Sequence, residues 1–374
     1  MDEAGTTMKP NILIAPLDWG LGHATRCIPV IKSFIQKNCN VLIACEGKIK
    51  RLLQNEFSQL NFIDLKGYRI SYSRNGWLLP LQIGRQIPKI LSTIQYENKR
   101  LKQIVKEHNI HGIISDNRFG FYHQCVPSVF ITHQLKIKTP FGKIAEDYLQ
   151  QLNFRYINRF SQCWIPDNKN EKNLAGELSH TEKGPLIPVQ YTGPLSRFQK
   201  LNVSGEGHLL VLLSGPEPQR SILENLLAAQ LKDYGNPAIL IRGLPGESGK
   251  LHLPSNICVY NHLPAEELNQ KMNEAFMVIS RCGYSTVMDL AVLEKKSVLI
   301  PTPGQTEQQY LAKHLMKKNF ALCIEQQKFR LKNALELSGQ FKYQVEKFYS
   351  GNNLAPTIDG FLSAVQSFMQ KGTL

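Results

Sequence analysis

Short apolar runs, rich in β-branched residues, recur along this chain, each stopping at a glycine or polar break before apolar residues resume at helical spacing. Asn11-Ile-Leu-Ile-Ala-Pro-Leu17 is continuous rather than alternating, as a strand buried on both faces should be. It passes through Asp18-Trp-Gly-Leu-Gly-His-Ala-Thr-Arg26 into a helical pattern at Ile28, Ile31 and Ile35. The same texture predicts strands at 40–45, 61–65, 112–116 and 127–133, with Cys163-Trp-Ile-Pro166 as the last strand of a first unit. Proline-rich Gly184-Pro-Leu-Ile-Pro-Val-Gln-Tyr-Thr-Gly-Pro194 breaks the rhythm and reads as a connector. A second series then opens at His208-Leu-Leu-Val-Leu-Leu-Ser-Gly-Pro216 and continues with strands at 237–242, 257–260, 276–279, 297–300 and 321–324.

Two successive series of strand–helix units predict an α/β fold of two doubly wound, Rossmann-like domains facing a cleft. The expected division is 1–190, 191–355, and a C-terminal helix within 356–374 that crosses back to the first domain. In such sheets ligands sit outside the carboxyl ends of the strands. The residues at those ends are therefore the candidates for chemistry.

In the second series, the strand at 276–279 turns through Ser280-Arg-Cys-Gly283 into a helix marked by Val287, Leu290, Ala291 and Val292. Backbone N–H groups and the helix dipole at that turn suit a phosphate. Gly283 permits close approach, and Ser285 and Thr286 either cap the helix or bond a phosphate oxygen. Asp289, Gln308 and Gln309 follow on two helices and can accept from sugar hydroxyls. An ordinary strand–helix turn with polar caps is the plain alternative. Ser214 and Gly215 form a like corner, and Arg242 is expected to add charge to a bound diphosphate.

In the first series, Gly20 and Gly22 shape the corner and His23 stands at the helix start. Histidine titrates near neutrality and serves as a general base, and Asp116, ending a later strand, is expected to hold its other ring nitrogen. His133 ends the next strand and reads as a cap or a hydrogen-bonded core group.

The block Ser280-Arg-Cys-Gly-Tyr-Ser-Thr-Val-Met-Asp289, with Pro301 and Glu307-Gln-Gln-Tyr310, resembles the donor-nucleotide half of the glycosyltransferase family that contains the peptidoglycan enzyme MurG. The resemblance implies the two-domain GT-B architecture and a hexosyl transfer from a UDP-sugar. By it, Gly283, Tyr284, Ser285 and Thr286 meet the diphosphate, Asp289 the ribose, and Gln308 with Gln309 the donor sugar, while Arg281 and Cys282 at the same turn are candidate substrate-binding residues. Backbone around Leu263 would read uracil. This chain departs from the pattern in carrying Cys282 for the usual serine or alanine, and Asp289 for glutamate. The Gly20–Cys27 loop also resembles nucleotide-sugar hydrolases of the same fold, in which the histidine activates water.

With 374 residues, 42% hydrophobic and 20% charged, the chain has the composition of a folded protein with two cores. The eight cysteines, at 27, 39, 45, 125, 163, 258, 282 and 323, have neither disulfide nor zinc spacing. No metal or cofactor is expected, and the N-terminus has no export pattern, which places the chain in the cytoplasm. A net charge of +14 asks for an anionic partner, and no nucleic-acid motif is present. The basic stretch 67–106, with Trp77-Leu-Leu-Pro-Leu81 inside it, fits either a solvated helix or an anionic membrane surface. The expectation is thus a metal-independent, inverting transferase acting on a sugar or lipid-linked acceptor, peripheral to the inner membrane face. A hydrolase, and a non-catalytic binder of anionic membrane or polymer, are the alternatives.

Overall fold

The structure, a computed structural model, describes residues 8–69, 86–203, 207–349, 351 and 353–372. Trp77–Leu81, Arg74 and Arg85 of the basic stretch lie outside the described residues. Elements of the first half are β1 Asn11–Pro16, α1 Leu21–Gln36, β2 Asn40–Cys45, α2 Gly47–Glu56, β3 Asn61–Asp64, α3 Ile87–Glu107, β4 Gly112–Asp116, β5 Ser128–Ile131, α4 Lys143–Ile157, β6 Gln162–Ile165 and β7 Val189–Tyr191. The second half holds β8 Leu209–Leu212, α5 Gln219–Leu231, β9 Ala238–Ile241, β10 Ile257–Tyr260, α6 Ala265–Glu274, β11 Met277–Arg281, α7 Tyr284–Val292, β12 Ser297–Ile300, α8 Thr306–Lys317, β13 Leu322–Cys323 and α9 Leu331–Gln340. The helix α10 Leu354–Gln370 follows.

Among the described residues β1 to β7 form one sheet in the order β3-β2-β1-β4-β5-β6-β7, and β8 to β13 a second in the order β10-β9-β8-β11-β12-β13. Every pairing is parallel, which is why the strands read as unbroken apolar runs. Each sheet reverses its strand order once, between β1 and β4 and between β8 and β11, and the reversal opens a crevice at the strand ends. Pro16 pairs with Asp116 in the first sheet and Leu212 with Ser280 in the second, so the predicted site residues follow directly on these switch points.

One expectation needs correction. Cys163–Ile165 is not the last strand of the first sheet, because Val189–Tyr191 inside the proline-rich connector pairs beyond it. A three-residue strand at a sheet edge tolerates Pro188 beside it, since an edge demands few N–H donors.

The helix α10 packs on α1 rather than on the second sheet. Phe361 is buried, edge-on to Phe34 at 6.1 Å and to Trp164 at 5.8 Å, and Lys37 pairs with Asp359 at 2.6 Å. One apolar cluster continues from Ile28 and Phe34 of α1 through Trp164 and Phe361 to Val287 and Leu290 of α7, so the two sheets share a core at their junction.

Candidate functional site

The loop between β1 and α1 is pinned by its own first side chain. Asp18 accepts from the backbone N–H groups of Tyr68 and Arg69, each at 2.9 Å, and Trp19 meets Tyr68 edge-on at 6.1 Å. That fixes where α1 starts and sets His23 in its first turn.

His23 Nδ1 lies 2.9 Å from Asp116 Oδ2. The other carboxylate oxygen, Oδ1, accepts from Arg26 through Nε at 2.9 Å and through Nη2. Arg26 is three residues beyond His23 on α1, so both side chains fall on the helix face toward β4. Burial opposes the charge on Asp116, but Arg26 and His23 outweigh it and hold the carboxyl below its ordinary value. Burial, then Arg26, push the His23 imidazole below its ordinary value, against the opposite pull of Asp116. Asp116 Oδ2 and Arg26 Nη2 both stand 2.9 Å from His23 Nδ1; the tautomer that donates to the ionised carboxylate carries its proton on Nδ1 and leaves Nε2 bare. A neutral imidazole with a bare nitrogen, on a side chain 17% exposed, is what a general base requires.

Side chains from both halves meet across the crevice. The Ser285 hydroxyl donates to the Gly22 backbone oxygen at 3.1 Å, and the Tyr284 hydroxyl donates to the Pro166 oxygen at 2.7 Å. His133 Nε2 meets Glu307 Oε1 at 2.8 Å, and Thr306 donates to the Lys138 oxygen at 2.7 Å. His133 also stacks flat on Tyr284, with ring centres 4.2 Å apart and planes 6° from parallel. The two strand-to-helix corners therefore face one another.

In the second half, Ser214 and Gly215 are exposed after β8, with Gly215 at φ 105°, a conformation that favours glycine. Arg281 is buried beneath the β11–α7 turn, donates to the Gln219 oxygen at 2.8 Å, and is lowered to about 10 by burial. Cys282 and Tyr284 are buried, while Gly283, Ser285 and Thr286 are half-buried. Asp289 Oδ1 accepts from the Ser196 hydroxyl at 2.5 Å, and burial pushes its carboxyl up to about 7. The Gln308 side-chain oxygen accepts from the Thr302 N–H at 2.9 Å, whereas Gln309 is exposed. Leu263 is buried in the apolar core.

The structure gives Arg242 a different occupation from the one expected. Its guanidinium forks onto Glu224 at 2.9 and 2.8 Å and reaches the Gly249 oxygen and Asn261 with its remaining nitrogen. Those bonds fasten α5 to β9 and leave its donors engaged within the domain. Arg26, His133 and Glu307 are the members that sequence reasoning did not assign to the site. The spacing of Arg26 from His23 was the available signal, and for Glu307 its place one residue before the paired glutamines.

Residues 254–347 match the family model described as the glycosyltransferase family 28 C-terminal domain. An uncharacterized glycosyltransferase of Methanosarcina acetivorans is 21% identical over 331 residues, covering 80% of this chain and 81% of that protein. The UDP-N-acetylglucosamine--N-acetylmuramyl-(pentapeptide) pyrophosphoryl-undecaprenol N-acetylglucosamine transferase of Zymomonas mobilis is 34% identical over 95 residues, 25% of this chain and 23% of that protein. The crystal structure of MurG from Acinetobacter baumannii superposes with a TM-score of 0.53 at 13% identity, covering 97% of this chain and 100% of that one.

Proposed function

We propose that this chain, whose residues 254–347 match the family 28 C-terminal domain, is a glycosyltransferase of the GT-B type that transfers a sugar from a UDP donor to an acceptor hydroxyl with inversion. The observation that carries the reading is the His23–Asp116 pair, whose corner touches the α7 corner through Ser285 and Gly22.

His23 Nε2 takes the proton of the acceptor hydroxyl as its oxygen bonds to the anomeric carbon. The bond from that carbon to the donor's phosphate oxygen breaks, and the electron pair leaves on UDP. Attack opposite the leaving group in a single displacement inverts the anomeric centre. Asp116 stabilises the imidazolium so formed. Backbone N–H groups at Gly283, Tyr284 and Ser285, the Ser285 and Thr286 hydroxyls, and the α7 dipole take up the charge on the diphosphate. Arg281 adds a fixed positive charge beneath the turn. Asp289 receives the ribose hydroxyls, and Gln308 and Gln309 the donor sugar. The 34% identity over 95 residues to an enzyme named for UDP-N-acetylglucosamine supports UDP as the nucleotide.

A lipid-linked acceptor at an anionic membrane is favoured by the surface of the first half. Phe141, Ile144, Tyr148 and Leu152 are 72%, 88%, 67% and 39% exposed, spaced three or four apart, with Lys143 among them. Ile87 and Leu91 are exposed on α3 beside Lys89. Apolar side chains interleaved with lysines suit an interfacial position. Among the described residues no helix is long and apolar enough to cross a membrane.

A thermal-shift comparison of UDP, GDP, TDP and CMP, followed by UDP release from UDP-sugars with and without membrane extract, tests the reading. A ligand at a hundred times its dissociation constant adds about 2.7 kcal/mol of stability, so UDP should raise the melting temperature most. UDP release that depends on extract supports transfer, and equal release without extract means hydrolysis. Vesicle binding with no nucleotide response would leave only a membrane binder.

A further inference from the structure

From His23 a continuous run of polar contacts crosses the crevice. Asp116 Oδ1 holds Arg26, Arg26 Nη1 reaches His133 Nδ1 at 3.2 Å, and His133 Nε2 reaches Glu307 Oε1 at 2.8 Å. The donors and acceptors assign the protons. A guanidinium only donates, so His133 Nδ1 is bare and its proton is on Nε2, which donates to Glu307. Burial works against charge on Glu307, but His133 and the hydrogen bonds from His133 and Gln134 hold its carboxyl below the ordinary value.

Glu307 lies in the first turn of α8 with Gln308 and Gln309, and Tyr284 begins α7. The ring of His133 touches both, hydrogen-bonded to the first and stacked on the second. A displacement of either helix therefore moves His133, and with it the guanidinium that holds the partner of the base.

We propose that Arg26, His133 and Glu307 are positioning residues forming a strut between the halves, so that His23 is aligned for proton abstraction only when α7 and α8 are seated against the first domain. The proposal rests on the transferase reading of His23. Arg26 is central because its planar fork spans Asp116 and His133 together, which a lysine ammonium does not. The groups facing His23 are Arg26 on its own helix, Asp116 from β4, His133 beyond β5 and Glu307 from α8. Arg26 Nη2 lies 2.9 Å from His23 Nδ1 and opposes protonation of the ring.

The test uses the full chain and the variants Glu307→Gln, His133→Asn, their double, Arg26→Met and Arg26→Lys. With a UDP-sugar, each single variant at 133 or 307 should lower kcat about tenfold to a hundredfold, as misplacement of a reacting group does, while retaining the UDP melting shift. The double variant should be no worse than the weaker single one, since either change already breaks the path. Arg26→Met should move the acid limb of kcat/KM to higher pH. Arg26→Lys keeps the charge, so it should lower kcat with that limb in place, and it serves where Arg26→Met does not fold. Single variants with wild-type kcat, or losses that multiply in the double variant, overturn the strut.

If the wild-type chain turns over no nucleotide sugar, the transferase reading fails on its own, and hydrogen exchange without nucleotide decides the strut. Glu307→Gln should then speed exchange at residues 17–23 and 283–287 together. Unchanged exchange at both overturns the proposal.

Discussion

The Ser285 hydroxyl donates to the Gly22 backbone oxygen across 3.1 Å, so residues 263 positions apart close one crevice. A Cβ built on Gly22 would stand 2.6 Å from Ser285 Oγ and 3.1 Å from its Cβ. Both clashes belong to one side chain. Gly22→Ala should therefore prop the corners apart and lower kcat about tenfold or more through misplacement of His23. Adding Ser285→Gly removes both obstructing atoms and should recover part of that loss, measured as UDP release.

Removal of the base is the plainest catalytic change. His23→Ala should lower kcat by about 10²- to 10⁴-fold, the usual worth of positioned proton transfer, without loss of the UDP melting shift. Burial and Arg26 depress the imidazole, so it stays neutral to lower pH than an ordinary histidine. The acid limb of kcat/KM in the wild type should accordingly fall below pH about 6.5.

Asp289 provides a stability readout that needs no substrate. Its carboxyl is raised to about 7 by burial, with the Ser196 hydrogen bond and Arg197 pulling the other way. A free aspartate titrates near about 3.9, so the folded chain holds this proton more tightly than the unfolded one. The resulting stabilisation is complete below the unfolded value and is lost as pH rises through about 7. The melting temperature of Asp289→Asn relative to wild type should therefore rise between pH 5 and 8, and a flat difference would contradict the assignment of that carboxyl.

Much of this was legible in the order of residues. Continuous apolar runs marked parallel strands, and their polar ends marked His23, Asp116 and the Gly283 turn. What escaped depended on approach in three dimensions. His133 and Glu307 are 174 residues apart, and nothing in either half alone says that one pairs with the other. Arg242 looked like a free cation because Glu224 sits on the preceding helix, where linear reading does not pair them. Arg26 was overlooked because a helix pattern was read for its apolar stripe, although its three-residue spacing from His23 places the two on one face. The short edge strand at 189–191 was hidden by the prolines around it.

The C-terminal helix should matter to both halves. Phe361 fills the space between Phe34 and Trp164, and truncating a buried phenylalanine typically costs about 3–5 kcal/mol. Phe361→Ala should lower the urea midpoint accordingly. If the midpoint were unchanged, α10 would not be bracing the first domain.

The account turns on a sugar nucleotide held at the α7 corner and a proton taken by His23 from across the crevice. Steady-state release of UDP from UDP-sugars, with acceptor-containing membrane extract and with a chelator present, measures both at once in the wild type and in His23→Ala. The expected result is extract-dependent turnover that survives the chelator and falls by about 10²-fold or more in the variant, while UDP still raises both melting temperatures. Equal turnover in the two proteins, or no melting response to any nucleotide, would contradict it.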